Sequence, residues 1–126
     1  MLTREALIAA ALVVLVTVGI VQAWGYDQVG VASWYGPGFH GQRTSSGEVY
    51  DMHEMTAAHK SLPFGTVVKV VDLESGNSVV VRITDRGPFI PGRIIDLSKR
   101  AAQELGIIDT GTARVGLKVL RWPSRD

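Results

Sequence analysis

The chain begins with unbroken hydrophobicity and then changes character. After a short positive start at Met1-Leu2-Thr3-Arg4, sixteen residues from Ala6 to Val21 run almost wholly apolar. Beyond Trp24 the apolar positions come in short groups, separated by glycine, proline and small polar residues. Val29 to Trp34 alternates loosely and stops at Tyr35-Gly36-Pro37-Gly38, which predicts a strand ended by a turn. Phe39 to Tyr50 is rich in Gly, Ser and Thr and predicts a long ordered loop. Met55 to His59 predicts a brief strand leading into a turn at Leu62-Pro63-Phe64-Gly65. Two β-branched runs, 66–72 and 78–84, flank Glu74-Ser75-Gly76-Asn77, and that combination predicts a hairpin. The second run delivers the chain to Asp85 at a strand end. A Gly/Pro loop from Arg86 to Gly92 then precedes a short apolar strand from Arg93 to Leu97. Ser98 is placed to cap a helix over residues 99–105 and Gly106 to stop it, with Ala101, Ala102 and Leu105 as its apolar stripe. Val115 to Arg121 alternates again. Many short strands, one short helix and glycine-rich crossings imply a mainly β protein, a small closed barrel.

The leading segment has the positive start, apolar run and small residues (Val21-Gln22-Ala23) of a secretory signal. The expectation is a signal peptide over residues 1–23, or a signal anchor, followed by one domain over residues 24–126. Sixteen apolar residues fall short of the ~20 that a spanning helix needs, which favours cleavage and leaves no stable membrane span. Either way the domain is exported, to the periplasm, cell envelope or extracellular space. The chain has no cysteine, so a disulfide, a thiol nucleophile, a thiolate metal site and a lipid-modified cysteine are all excluded. A net charge of +1, with basic and aromatic residues scattered, gives no reason to expect nucleic acid. A monomer is expected, and nothing calls for a cofactor.

Three ionisable residues stand in compact phrases: Glu48 in Ser45-Ser46-Gly47-Glu48, His59 in Ala57-Ala58-His59, and Asp85 in Thr84-Asp85-Arg86-Gly87-Pro88. A carboxylate pair plus a histidine is enough equipment for general acid–base chemistry on a polymer. Each also has a plainer reading. Asp85 can accept the N–H groups of its own turn, Glu48 can be a solvated loop residue, and His59 can be a structural histidine bonded to a loop. The neighbouring Arg86 would keep Asp85 ionised. Asp96, just before the helix, either helps cap it or projects into the same cleft as Asp85. Trp34, Tyr35 and Phe39, set among glycines, are either sugar-stacking platforms or barrel core. His40, His53 and His59 have spacings that match no metal-ligand motif, so no metal site is expected.

Read in order, Val31-Ala32-Ser33-Trp34-Tyr35-Gly36, Phe39-His40-Gly41, Thr44-Ser45-Ser46-Gly47-Glu48, Ala57-Ala58-His59, Leu62-Pro63-Phe64-Gly65-Thr66, Asp85-Arg86-Gly87-Pro88-Phe89 and Ile95-Asp96-Leu97-Ser98 resemble the rare lipoprotein A (RlpA) family. The resemblance implies a six-stranded double-psi β-barrel with one or two short helices, a fold shared with expansins. It implies lytic transglycosylation of peptidoglycan glycan strands, cutting between MurNAc and GlcNAc to leave 1,6-anhydroMurNAc ends, with a preference for strands stripped of stem peptides. The family's glutamate, histidine and aspartate fall on Glu48, His59 and Asp85, with Asp96 as a further candidate from expansin-like relatives. Asp85 is the expected acid, serving afterwards as base, with Glu48 and His59 orienting it or tuning its pKa. Trp34, Tyr35, Phe39 and Arg86 are the expected substrate contacts. The alternative is a non-catalytic, expansin-like module that binds or loosens glycan.

Overall fold

The computed structural model describes residues 25–125, so the expected signal segment lies outside the described residues. Six strands close into a barrel: β1 (Gln28–Trp34), β2 (Thr56–His59), β3 (Val67–Asp72), β4 (Ser78–Asp85), β5 (Arg93–Leu97) and β6 (Ala113–Arg121). Around the barrel their order is β1-β5-β2-β4-β3-β6. The pairs β1/β5 and β2/β4 are parallel and the others antiparallel. The closed six-stranded barrel and the short α-helix meet the expectation from sequence; a 3-10 turn at Pro37–Phe39 is a second short helix.

Period-two patterning explains which faces are buried. In β3, Val68 and Val70 are buried and Lys69 is exposed; in β4, Val79, Val81 and Ile83 are buried while Val80 faces solvent. These valines and isoleucines join Ile95, Leu97, Val115 and Leu117 in one core. At one end the ring of Tyr26 lies so close over Gly116 that a Cβ there would sit 2.5 Å from it. Only glycine allows that contact.

The helix α1 (Lys99–Leu105) begins at Ser98, whose hydroxyl accepts from the Ala101 N–H, and ends at Gly106 in the left-handed conformation. Its buried face of Ala101, Ala102 and Leu105 packs over the barrel. The Ser98 hydroxyl also donates to the Glu54 carbonyl at 2.6 Å, tying the β5–α1 junction to the loop before β2. That junction carries Asp96.

Candidate functional site

The strand registers place four residues in one row across the sheet. Ser33 of β1 lies opposite Asp96 of β5, Asp96 opposite Ala58 of β2, and Ala58 opposite Asp85 of β4. Paired residues share a face, so the two carboxylates flank a methyl group on the same side of the barrel wall. A register shift between Ala57 and Ala58 creates this geometry. In an unbroken strand Asp85 would share the buried face of Ile83, which lies opposite Ala57. The bulge re-aims Asp85 away from the core.

Asp85 is held by three donors. The Tyr35 hydroxyl donates to Oδ2 at 2.8 Å, and the N–H groups of Ser45 and Arg86 each donate to Oδ1 at 2.9 Å. Burial works to raise its pKa, but the donors from Ser45, Tyr35 and Arg86 together outweigh it and hold the carboxyl below the usual carboxylate range. Burial and Asp85 drive the Tyr35 phenol in the other direction, well above its ordinary value, so it stays a donor. Asp96 has one side-chain donor, the Ser33 hydroxyl at 3.2 Å. Burial pushes its pKa up and nearby Asp85 adds to the rise; Ser33 and Arg93 oppose it without cancelling it. One groove therefore holds a carboxylate kept ionised and a carboxyl biased towards its proton. Such divergence separates acid from base in many active sites.

Two depressions meet at these groups. One, of about 350 Å³, runs past Trp34, Asp96, Arg93 and the Gly87–Ile90 loop; the other, of about 160 Å³, passes Gln42, Thr44 and Tyr50. Tyr35, Phe39 and Asp85 line both. Phe39 is half exposed, its ring 5.6 Å from that of Tyr35, while Trp34 packs partly into the core and lines the groove with its remaining surface.

Arg86 lines the larger depression as well, whereas Glu48 and His59 are placed elsewhere. Glu48 pairs with Arg82 at 2.7 Å on the outer surface, a contact that lowers the Glu48 pKa. His59 lies opposite Ile95, on the core-facing side of β2, with its Nδ1 accepting from the Ser61 and Leu62 N–H groups. Its Nε2 therefore carries the proton and donates to Gln28 Oε1 at 2.8 Å. Burial, then the charges of Arg86 and Lys60, lowers its pKa. The Arg86 guanidinium turns away from the carboxylate it follows. It donates to the His59 and Leu62 carbonyls and lies 4.0 Å over the Phe64 ring. Asp85 is thus kept ionised as expected from sequence, but by backbone and phenol donors rather than by the guanidinium. Among the described residues no three His, Asp or Glu side chains cluster as metal ligands.

Sequence reasoning missed Ser33, the Ser45 N–H, Arg93 and the groove-lining Phe89, which is 82% exposed. Phe89 carried a readable signal, a large aromatic between Pro88 and Ile90 in a glycine-rich loop. Ser33 and Ser45 did not, because their partners lie 63 and 40 residues away.

Comparison with known proteins places these features in a family. The lytic transglycolase family model matches residues 27–117. An endolytic peptidoglycan transglycosylase RlpA from Pseudomonas aeruginosa (strain UCBPP-PA14) is 54% identical over 103 residues, 79% of this chain and 30% of that protein. The Campylobacter jejuni protein of the same name is 53% identical over 104 residues, 82% of this chain and 38% of its own length. The chain thus spans about a third of the length of these curated relatives. Among solved structures, the Streptomyces papain inhibitor superposes with a TM-score of 0.60 at 22% identity, covering 76% of this chain and 97% of the inhibitor. Apo Clavibacter michiganensis expansin does so at 0.57 and 24%, covering 76% of this chain and 51% of the expansin. At those identities the likeness is one of fold alone.

Proposed function

The chain belongs to the lytic transglycolase family, and from that premise we propose that it cleaves peptidoglycan glycan strands internally at the MurNAc–GlcNAc β-1,4 bond. The observation that carries this reading is the pair Asp85 and Asp96, whose surroundings push their pKa values in opposite directions, in one groove that extends to both sides of Asp85. A groove open on both sides suits an internal bond of a polymer.

Asp96 donates its proton to the bridging oxygen as the MurNAc C1–O bond breaks, and the GlcNAc C4 hydroxyl departs. Positive charge develops at C1 and the ring oxygen. The muramyl C6 hydroxyl attacks C1, and Asp85 takes its proton as the C6–O–C1 bond forms. No water is consumed, and the product ends in 1,6-anhydroMurNAc. This division revises the sequence expectation that Asp85 is the acid, because a carboxylate held by three donors gives up no proton. Tyr35 and the Ser45 N–H orient Asp85. Phe39 and Phe89 offer ring faces for the apolar faces of flanking sugars.

A preference for peptide-stripped strands follows from Arg93. It lines the groove beside Asp96 and joins no ion pair among the described residues. A muramyl unit without its stem peptide exposes a lactyl carboxylate, a natural guanidinium partner. The protein would act as an exported monomer at the cell envelope, residues 1–23 serving as signal and 24–126 as the barrel.

Mass spectrometry of stripped and peptide-bearing glycan strands after incubation with the protein tests this. The expected products carry 1,6-anhydro ends, and Arg93→Gln narrows the difference between the two substrates. Water-added reducing ends would make the protein a hydrolase. Uncut strands that co-sediment with it would leave a binding module.

A further inference from the structure

The segment Thr44–Glu48 runs antiparallel along the outer face of β4 and touches it at three successive points. Glu48 Oε2 meets Arg82 Nη1 at 2.7 Å, the Ser46 N–H donates to the Thr84 carbonyl at 3.3 Å, and the Ser45 N–H donates to Asp85 Oδ1 at 2.9 Å. The segment is closed on itself: the Thr44 N–H and hydroxyl both donate to the Glu48 carbonyl at 2.8 Å, and the Gly47 N–H donates to the Thr44 carbonyl at 3.0 Å. Arg82 and Asp85 lie on the same strand, three residues apart. The charge pair anchors one end of the strap and the Ser45 N–H meets Asp85 at the other.

We propose that Arg82 is a positioning residue for Asp85, acting through its ion pair with Glu48 and the Thr44–Glu48 strap. Glu48 shares this role and touches neither substrate nor the reacting atoms. The inference rests on the reading of Asp85 as the proton acceptor. An isolated exposed ion pair is worth little, but here it closes a short loop whose other end donates to an ionised carboxylate. Charge-assisted bonds of that kind are among the stronger ones. Losing the Ser45 donor takes away one of the influences that hold Asp85 ionised against its burial.

Other groups near each end are few. Tyr35 just after β1, Asp96 from β5 and Arg93 at the start of β5 share the groove with Asp85. Arg43 and Tyr50 line its other side, with Arg43 donating to the Gly47 carbonyl of the strap, and the Arg86 guanidinium is engaged with carbonyls elsewhere. Asp51 and Glu54, from the loop before β2, share the Glu48–Arg82 surface.

The experiment titrates the Asp85 carboxyl carbon by NMR and measures kcat and KM on glycan strands. It compares the native chain with Arg82→Ala, Glu48→Gln, Arg82→Lys and the exchanged pair Glu48→Arg/Arg82→Glu. Arg82→Ala and Glu48→Gln should each move the Asp85 titration to higher pH and lower kcat about ten- to hundredfold with little change in KM. Arg82→Lys should retain most of the activity, and the exchanged pair should recover the titration and much of the rate. An Asp85 titration unmoved in Arg82→Ala overturns the proposal. So does a Glu48→Gln loss that the exchanged pair does not recover, which would put Glu48 in the chemistry. A native chain that forms no product refutes the enzymatic reading alone, since the titration still decides the strap.

Discussion

At the scale of residues, Asp85 and Asp96 have the same functional group and opposite environments. Asp85 has three donors to set against its burial; Asp96 has one hydroxyl, at a longer distance, and a neighbouring negative charge. The sign of each shift fixes a pH dependence. Lowered below its unfolded value, the Asp85 pKa contributes stability that is present above the unfolded value near 3.9 and is lost as pH falls through the folded one. Raised above it, the Asp96 pKa contributes stability that is present below the unfolded value and is lost as pH rises through the folded one. The proposed mechanism requires Asp85 ionised and Asp96 protonated, so it predicts a bell-shaped rate–pH profile between them, with an alkaline limb set by Asp96. Ser33→Ala removes a donor that lowers the Asp96 pKa and should move that limb to higher pH. A limb unmoved in Ser33→Ala would assign it to another group.

At the scale of elements, most strands and the helix were legible because their signals are local. The valine-rich runs, the Glu74–Asn77 turn and the Ser98 and Gly106 caps each act within a few residues of chain. What the elements do to each other was not legible. The Ala57-Ala58-His59 phrase puts Ala58 and His59 on opposite faces by simple alternation, yet nothing local says which face borders the groove. The bulge against β4 and the antiparallel partner β5 decide it, and they bring Ala58 between the carboxylates while sending His59 to the core side. There the imidazole receives two backbone N–H groups of the 60–62 turn, and Arg86 clamps the same turn through its carbonyls. His59→Ala leaves those N–H groups without acceptors, and urea unfolding should report a loss of about 2 kcal/mol. Because burial and neighbouring charges lower the His59 pKa, native stability should also fall as pH drops below the unfolded value near 6.5. A His59→Ala chain as stable as the native one would contradict the structural role.

At the scale of the whole molecule, barrel closure builds the site. Asp96 and Asp85 belong to strands that are not neighbours, and β2 between them contributes only a methyl group to the row. The groove needs the parallel pair β2/β4, the return of β5 and the 44–48 strap at once. That explains why the sequence named the ionisable residues but not their partners: Glu48–Arg82 and Tyr35–Asp85 join residues 34 and 50 positions apart. The most direct test is the rate of 1,6-anhydroMurNAc formation by Asp96→Asn, with glycan co-sedimentation measured alongside. The substitution removes a charge that burial disfavours, so the variant should be at least as stable as the native chain at neutral pH. Product formation should fall by about a thousandfold or more while glycan is still bound. Anhydro ends formed at the native rate would show that Asp96 is not the acid.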